Sequence, residues 1–158
     1  MFTSLRREIT QQTSGQIGIT MTQIFTLRGK SNVGKTETLR LLLDALIMGY
    51  PNAIPTWIHG PAGRNSCVVL SNVGKFTVGI EGYGDRPERI SASFRQFRKW
   101  RCDLIFCAAR TKGDTLNFIV QNKGDLIHLI PKVAVQSQKM QKAANVAMMK
   151  KLRALAGI

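Results

Sequence analysis

Eight consecutive residues at positions 29–36, with the sequence GKSNVGKT, have the residue types and spacing of a phosphate-binding turn. The two glycines permit backbone turns that point successive N–H groups to one side, and that side attracts anions. The second lysine would reach the β- and γ-phosphates of a nucleotide, and the threonine hydroxyl would bind Mg²⁺. We therefore predict that a nucleotide contacts all eight residues: Gly29, Lys30, Ser31, Asn32, Val33, Gly34, Lys35 and Thr36.

The 29–36 loop fits G-x-x-x-x-G-K-[ST] at every fixed position, and it lies between an apolar strand at 23–28 and a helix at 35–48. In these features the chain resembles the P-loop NTPase superfamily. The later segments GYGDRPERI and CDLIFCAARTKG are similar to those of short ATP-binding proteins of bacteria and phages. The resemblance implies an α/β fold for residues 23–131, with a mostly parallel sheet flanked by helices.

A Mg²⁺ ion at such a loop needs a carboxylate at the end of a neighbouring strand. The segment 76–85 offers two, Glu81 and Asp85, separated by Gly-Tyr-Gly. Residues 81–84 resemble the D-x-x-G of small GTPases with Glu in place of Asp. We assign Glu81 and Asp85 jointly to the catalytic set and, with Thr36, to the metal. The alternative is a solvent-facing Glu81 and an Asp85 that caps the next helix.

Phosphoryl transfer also uses a cation that stabilises the developing charge. Besides Lys35 we assign this role to Arg110, at the end of an apolar strand at 104–109, and Arg64, Arg86 and Arg89 are alternatives. Residues 111–114 fit T-K-x-D, a variant of the guanine-reading N-K-x-D motif. Because only about thirty residues separate it from Glu81, we expect ATP and Mg²⁺ as cofactors ahead of GTP.

The remaining elements must position these residues. Alternating apolar residues on both sides of a tight turn predict an antiparallel hairpin near residues 67–81. Apolar spacing predicts a helix at 87–100. Residues 116–121 and 126–130 are predicted to form strands or a combination of helix and strand. Residues 49–66 hold three of the five prolines and predict a long irregular connection.

We divide the chain of 158 residues into a polar N-terminal arm (1–22), one nucleotide-binding domain (23–135) and a basic C-terminal helix (136–158). The three cysteines are odd in number and show no CxxC spacing, which argues against a disulfide scaffold or a zinc site. The sequence shows neither a signal peptide nor an apolar run that would span a membrane. These features predict a cytoplasmic protein.

Charge is distributed unevenly. The chain has 23 basic and 9 acidic residues, a net charge of +14, and residues 86–101 and 126–158 contribute +5 and +6. Such an excess indicates a polyanionic partner or substrate. We expect nucleic acid to contact residues 86–101 and 136–158; the alternative for the C-terminal helix is a solvated helix that covers the sheet.

These observations predict Mg²⁺-dependent binding and hydrolysis of ATP by a small protein that acts as a switch or motor subunit for a protein partner or a homo-oligomer. The alternative is a nucleotide or small-molecule kinase, with an arginine-rich lid helix at 86–101 and an acceptor pocket formed by residues 50–64. A nucleic-acid-binding module without enzymatic activity has charge alone in its favour, and it leaves the 29–36 loop unexplained.

Overall fold

The computed structural model describes residues 21–59, 67–82, 86–122 and 124–158. This part of the chain contains six strands and four helices. In chain order they are β1 (Gln23–Arg28), α1 (Lys35–Gly49), β2 (Ile54–His59), β3 (Cys67–Val73), β4 (Phe76–Glu81), α2 (Pro87–Lys99), β5 (Leu104–Ala109), α3 (Asp114–Val120), β6 (Leu126–Pro131) and α4 (Gln138–Ala156).

The six strands form one sheet in the order β2-β3-β4-β5-β1-β6. The pairs β4–β5, β5–β1 and β1–β6 are parallel, whereas β2–β3 and β3–β4 are antiparallel. The fold is therefore α/β as expected, but the expected mostly parallel sheet is a mixed one. The antiparallel part arises because the hairpin of β3 and β4, confirmed near residues 67–81, is extended by β2.

Strand β2 corrects the prediction of an irregular connection over residues 49–66. Ile54–His59 pairs with β3, while residues 60–66 lie outside the described part of the chain. Pro55 fits here because β2 is an edge strand, where a missing N–H need not interrupt a ladder. Ile54 and Pro55 are exposed, so the segment lacks the burial pattern by which strands are recognised.

The sheet is buried on both faces, as successive residues of its central strands show. In β1, Phe25 and Leu27 belong to a core shared with α1 and α4, whereas Ile24 faces a second core formed with α2 and α3. The same alternation in β5 places Phe106 against Phe25, with ring centroids 5.1 Å apart. The molecule therefore has three layers, with α1 and α4 on one face and α2 and α3 on the other.

The C-terminal helix is packed rather than fully solvated. Leu152 and Ala156 of α4 are buried in the core that α1 contributes to, and Asn145 is also buried. Residues 116–121, for which the sequence allowed either a strand or a helix, lie largely within helix α3. No helix of the described residues is long and apolar enough to cross a membrane.

All three cysteines are buried, and none of them forms a disulfide. Burial raises the pKa of the Cys67, Cys102 and Cys107 thiols to about 12. At pH 8 only ~10⁻⁴ of each thiol is then the reactive thiolate.

We expect the folded chain to react negligibly with a chromogenic disulfide reagent at pH 8 over several minutes, because its thiols are both protonated and inaccessible. The same assay in guanidinium chloride should count all three thiols. A fast-reacting thiol in the folded protein would contradict the buried positions of these cysteines.

Candidate functional site

The carboxyl ends of three parallel strands bring the chemically interesting residues to one edge of the sheet. Arg28, the last residue of β1, lies opposite Ala109 of β5 and Pro131 of β6. The residues that follow the three strands are Gly29, Arg110 and Lys132, so they emerge side by side. In parallel α/β sheets this edge is where ligands bind.

The 29–36 loop turns sharply between β1 and α1. Asn32 and Gly34 have positive φ angles of 61° and 92°. Gly34 is the N-cap of α1, and no side chain caps this helix end by a hydrogen bond. The first N–H groups of a helix have no partner within the helix, and together with the helix dipole they favour an anion. The backbone therefore has the geometry expected of an anion-binding turn.

The Lys35 side chain folds back over the loop instead of extending into solvent. Its ammonium group donates hydrogen bonds to the carbonyl oxygens of Gly29, at 2.8 Å, and of Lys30. These bonds fix the ammonium beside the backbone at the start of the loop. Because it belongs to the first turn of α1, it adds a full positive charge to the partial charge of the helix end.

Thr36 links the loop to strand β4. Its hydroxyl donates a hydrogen bond of 2.9 Å to the carbonyl of Gly82, the residue after Glu81. A hydroxyl has one hydrogen and two lone pairs, so this bond leaves the Thr36 oxygen able to act as a ligand. An oxygen ligand of this kind suits Mg²⁺. Thr36 and the end of β4 therefore lie close together.

The Glu81 carboxylate contacts helix α2 on one face of the sheet. Glu81 is fully buried, accepts a hydrogen bond from the Ser93 hydroxyl and forms an ion pair with Arg89, whose Nη2 lies 3.4 Å from Oε1. A solvent-facing Glu81, the alternative weighed above, is therefore wrong. The carboxylate joins β4 to α2, and its assignment to a metal stays a prediction.

Asp85, the other predicted metal ligand, and Arg64 lie outside the described residues. Arg110 is exposed directly after β5. The neighbouring Thr111 carbonyl accepts a hydrogen bond of 2.9 Å from Arg28 Nε, which ties the end of β5 to the start of the 29–36 loop. Asp114, of the T-K-x-D sequence, is the first residue of α3. The structure thus places Arg110 beside the loop, and its role in charge stabilisation stays a prediction.

The back of the loop is formed by residues that the sequence did not single out. The carbonyl of Lys132 approaches Gly29 so closely that a Cβ there would lie 2.2 Å from it. A Cβ on Gly34 would lie 2.3 Å from both Gln141 Nε2 and Asn145 Oδ1 of α4. Asn145 shares the helical stripe of Leu152 and Ala156, and a polar residue within an apolar stripe was the available sequence signal.

Within the described residues no group of three or more His, Cys, Asp or Glu side chains could hold a metal ion. Among these residues, Thr36 offers a hydroxyl oxygen that could bind Mg²⁺ together with phosphate oxygens. No family model, curated protein or solved structure matches the chain.

Gly34→Ala tests the close contact between the loop and α4. Gly74→Ala is the matched control, because both glycines occur in the sequence Ser-Asn-Val-Gly-Lys. Both have positive φ, but a Cβ on Gly74 meets only Tyr50, at 3.5 Å. We expect Gly74→Ala to lower the free energy of unfolding by about 1 kcal/mol. Gly34→Ala adds overlap and should cost about 2–4 kcal/mol in urea denaturation. Equal losses would contradict the contact with α4.

Proposed function

We propose that the protein binds Mg-ATP at the 29–36 loop and hydrolyses it. The observation that carries this proposal is the position of Lys35: its ammonium is fixed by the Gly29 and Lys30 carbonyls at the N-terminus of α1. A fixed ammonium next to a helix end and two left-handed residues is an arrangement suited to a polyphosphate. The fit of the loop to G-x-x-x-x-G-K-[ST] supports the same conclusion.

In this proposal the loop N–H groups bind phosphate oxygens, and Lys35 neutralises charge on the β- and γ-phosphates. Thr36 supplies a metal ligand while its hydrogen bond to Gly82 holds the hydroxyl in place. Arg110 adds a cation from the adjacent strand. A Mg²⁺ ion held there would supply Lewis-acid stabilisation of the charge on the phosphates. Hydrolysis then needs an oriented water, a role that we assign to Asp85 or Glu81.

A switch or motor role for a partner is supported by the route from the loop to α2. Thr36 contacts Gly82, and the preceding residue, Glu81, binds Ser93 and Arg89 of α2. A change at Thr36 is therefore transmitted through one peptide to a helix that exposes Arg95 and Lys99. A protein partner or a second copy of the chain would bind to this helix differently in the presence and absence of the nucleotide.

Lys35→Ala should weaken ATP binding about 10- to 100-fold, because a charge-assisted hydrogen bond contributes about 1.5–3 kcal/mol. Lys75→Ala is the matched control: Lys75 ends the second Ser-Asn-Val-Gly-Lys sequence, is exposed and lies 5.3 Å from the Phe76 ring centroid. Its affinity should match that of the wild type. Titration calorimetry with ATP and with GTP, each with Mg²⁺, measures both effects.

Because Lys35 also holds two loop carbonyls, Thr36→Val serves as a second variant that keeps the lysine and the side-chain shape. It should retain metal-free ATP binding and lose the gain in affinity that Mg²⁺ gives. Equal binding by wild type, Lys35→Ala and Thr36→Val would refute the proposed site. Labelled γ-phosphate recovered in an added nucleoside instead of as inorganic phosphate would establish the kinase alternative.

For a nucleic-acid partner, the structure distinguishes the two basic segments. They lie on opposite faces of the sheet, so one duplex cannot lie flat against both. Among the described residues, Arg89 and Arg98 of α2 form ion pairs, with Glu81 and Asp125, whereas no lysine of α4 does. We therefore propose that the exposed lysines of α4 bind the phosphate backbone.

Neutralising Lys150 and Lys151 of α4 to Gln should reduce the slope of log affinity for duplex DNA against log salt by about 2. The matched change of Arg95 and Lys99 to Gln in α2 removes the same charge from the other face. We expect it to alter the slope by less than about 0.5. A larger effect from the α2 pair, measured by fluorescence anisotropy, would place the duplex on the opposite face.

A further inference from the structure

Lys132, the first residue after β6, is almost entirely buried, with 4% of its surface exposed. Its backbone N–H donates a 2.8 Å hydrogen bond to the Arg28 carbonyl, which continues the pairing of β6 with β1. Its ammonium donates a 2.9 Å hydrogen bond to the carbonyl of Val33, in the middle of the 29–36 loop. Lys132 therefore joins the end of the sheet to the loop through both its backbone and its side chain.

This position is costly for a lysine. None of the ion pairs among the described residues involves Lys132. Burial lowers the pKa of its ammonium group below the usual value, which means that the charged form is held at an energetic cost. A lysine that contributed only to solubility would extend into water. The burial thus calls for an explanation in what the side chain does for the loop.

The geometry of the peptide unit gives that explanation. In a trans peptide the C=O of one residue and the N–H of the next point in opposite directions, and no cis peptide bond occurs in the described residues. With the Val33 carbonyl fixed on the side of Lys132, the Gly34 N–H points away from it. Gln141 and Asn145 lie directly against Gly34 and leave little space for the backbone to rotate.

We propose that Lys132 is a positioning residue for the anion-binding turn: by holding the Val33 carbonyl, it directs the Gly34 N–H toward a bound phosphate. This inference rests on the proposed function for its ligand. Lys35 holds the carbonyls of residues 29 and 30 in the same manner at the other end of the loop. Two lysines from separate parts of the sequence thus orient three peptides of one turn.

The orientation of the Gly34 N–H can be measured without a ligand. Labelling with ¹³C-carbonyl valine and ¹⁵N-glycine selects the three Val-Gly pairs of the chain, which contain Gly34, Gly74 and Gly79. In Lys132→Met the N–H residual dipolar coupling of Gly34 should change, because the Val33 carbonyl loses its donor. The couplings of Gly74 and Gly79 should stay as in the wild type and serve as internal controls. An unchanged Gly34 coupling overturns the proposal.

Binding gives the second measurement. Lys132→Met should weaken Mg-ATP and tripolyphosphate binding about tenfold, the loss of roughly one charge-assisted hydrogen bond. Its urea midpoint should change little, since methionine has a similar shape and the removal of a buried charge offsets the loss of the hydrogen bond to the Val33 carbonyl. Lys75→Met, which removes one exposed charge in the turn between β3 and β4, should leave both affinities unchanged.

Equal weakening by Lys75→Met would show a general charge effect and overturn the positioning role. Failure of the wild type to bind either ligand would refute the proposed function. The Gly34 coupling would then still decide whether Lys132 orients the peptide.

Discussion

The carbonyl groups of the 29–36 loop must be held in place if its N–H groups are to keep one orientation, and two lysine side chains meet this requirement. Lys35 takes the carbonyls of Gly29 and Lys30, and Lys132 takes that of Val33. Buried carbonyl groups need donors, and here both donors carry positive charge. The charge that fixes the backbone therefore also raises the potential at the site where we propose that a polyphosphate binds.

Meeting this requirement involves most of the fold. Lys132 reaches Val33 only because β6 is parallel to β1 and adjacent to it, so that both strands end at the same edge. Asn145 reaches the loop only because α4 packs on the same face as α1, where Leu152 completes the core. The C-terminal segment is thus part of the site's support, and its basic residues serve two purposes: Lys132 acts inside the molecule, while the exposed lysines of α4 remain available to a partner.

The sequence could predict the elements with strong local patterns, but not the contacts between distant segments. Residues 31–35 and 71–75 illustrate the limit, because both read Ser-Asn-Val-Gly-Lys. Asn32 and Asn72 both have φ of 61°, and both glycines have positive φ, so the backbone tendency is the same. One copy leads into α1 and the other connects β3 to β4. The difference comes from the residues that follow: a leucine-rich helical pattern in one case and an alternating strand pattern in the other.

Other features had no local signature. Strand β2 is an edge strand with exposed residues, so its identity depends on pairing with β3. The order of the strands, which puts β5 between β4 and β1, is set by packing across the whole sheet. Lys132 looked like one of several basic residues in the C-terminal part of the chain. Only the parallel pairing of β6 with β1 reveals that it faces the loop.

The contacts of Glu81 with α2 limit its ability to bind a metal directly. Its carboxylate is fully buried, and moving it toward a metal would break its contacts with Ser93 and with the partly buried Arg89. A buried carboxylate that loses such partners carries a desolvation penalty. Direct metal ligation by Glu81 therefore requires α2 to move with it. Ligation by Thr36 does not, since the Thr36 hydroxyl can keep its bond to Gly82. In the proposed Mg-ATP complex, the arrangement of lower energy gives the metal to Thr36 and phosphate oxygens, while Glu81 keeps its contacts with α2.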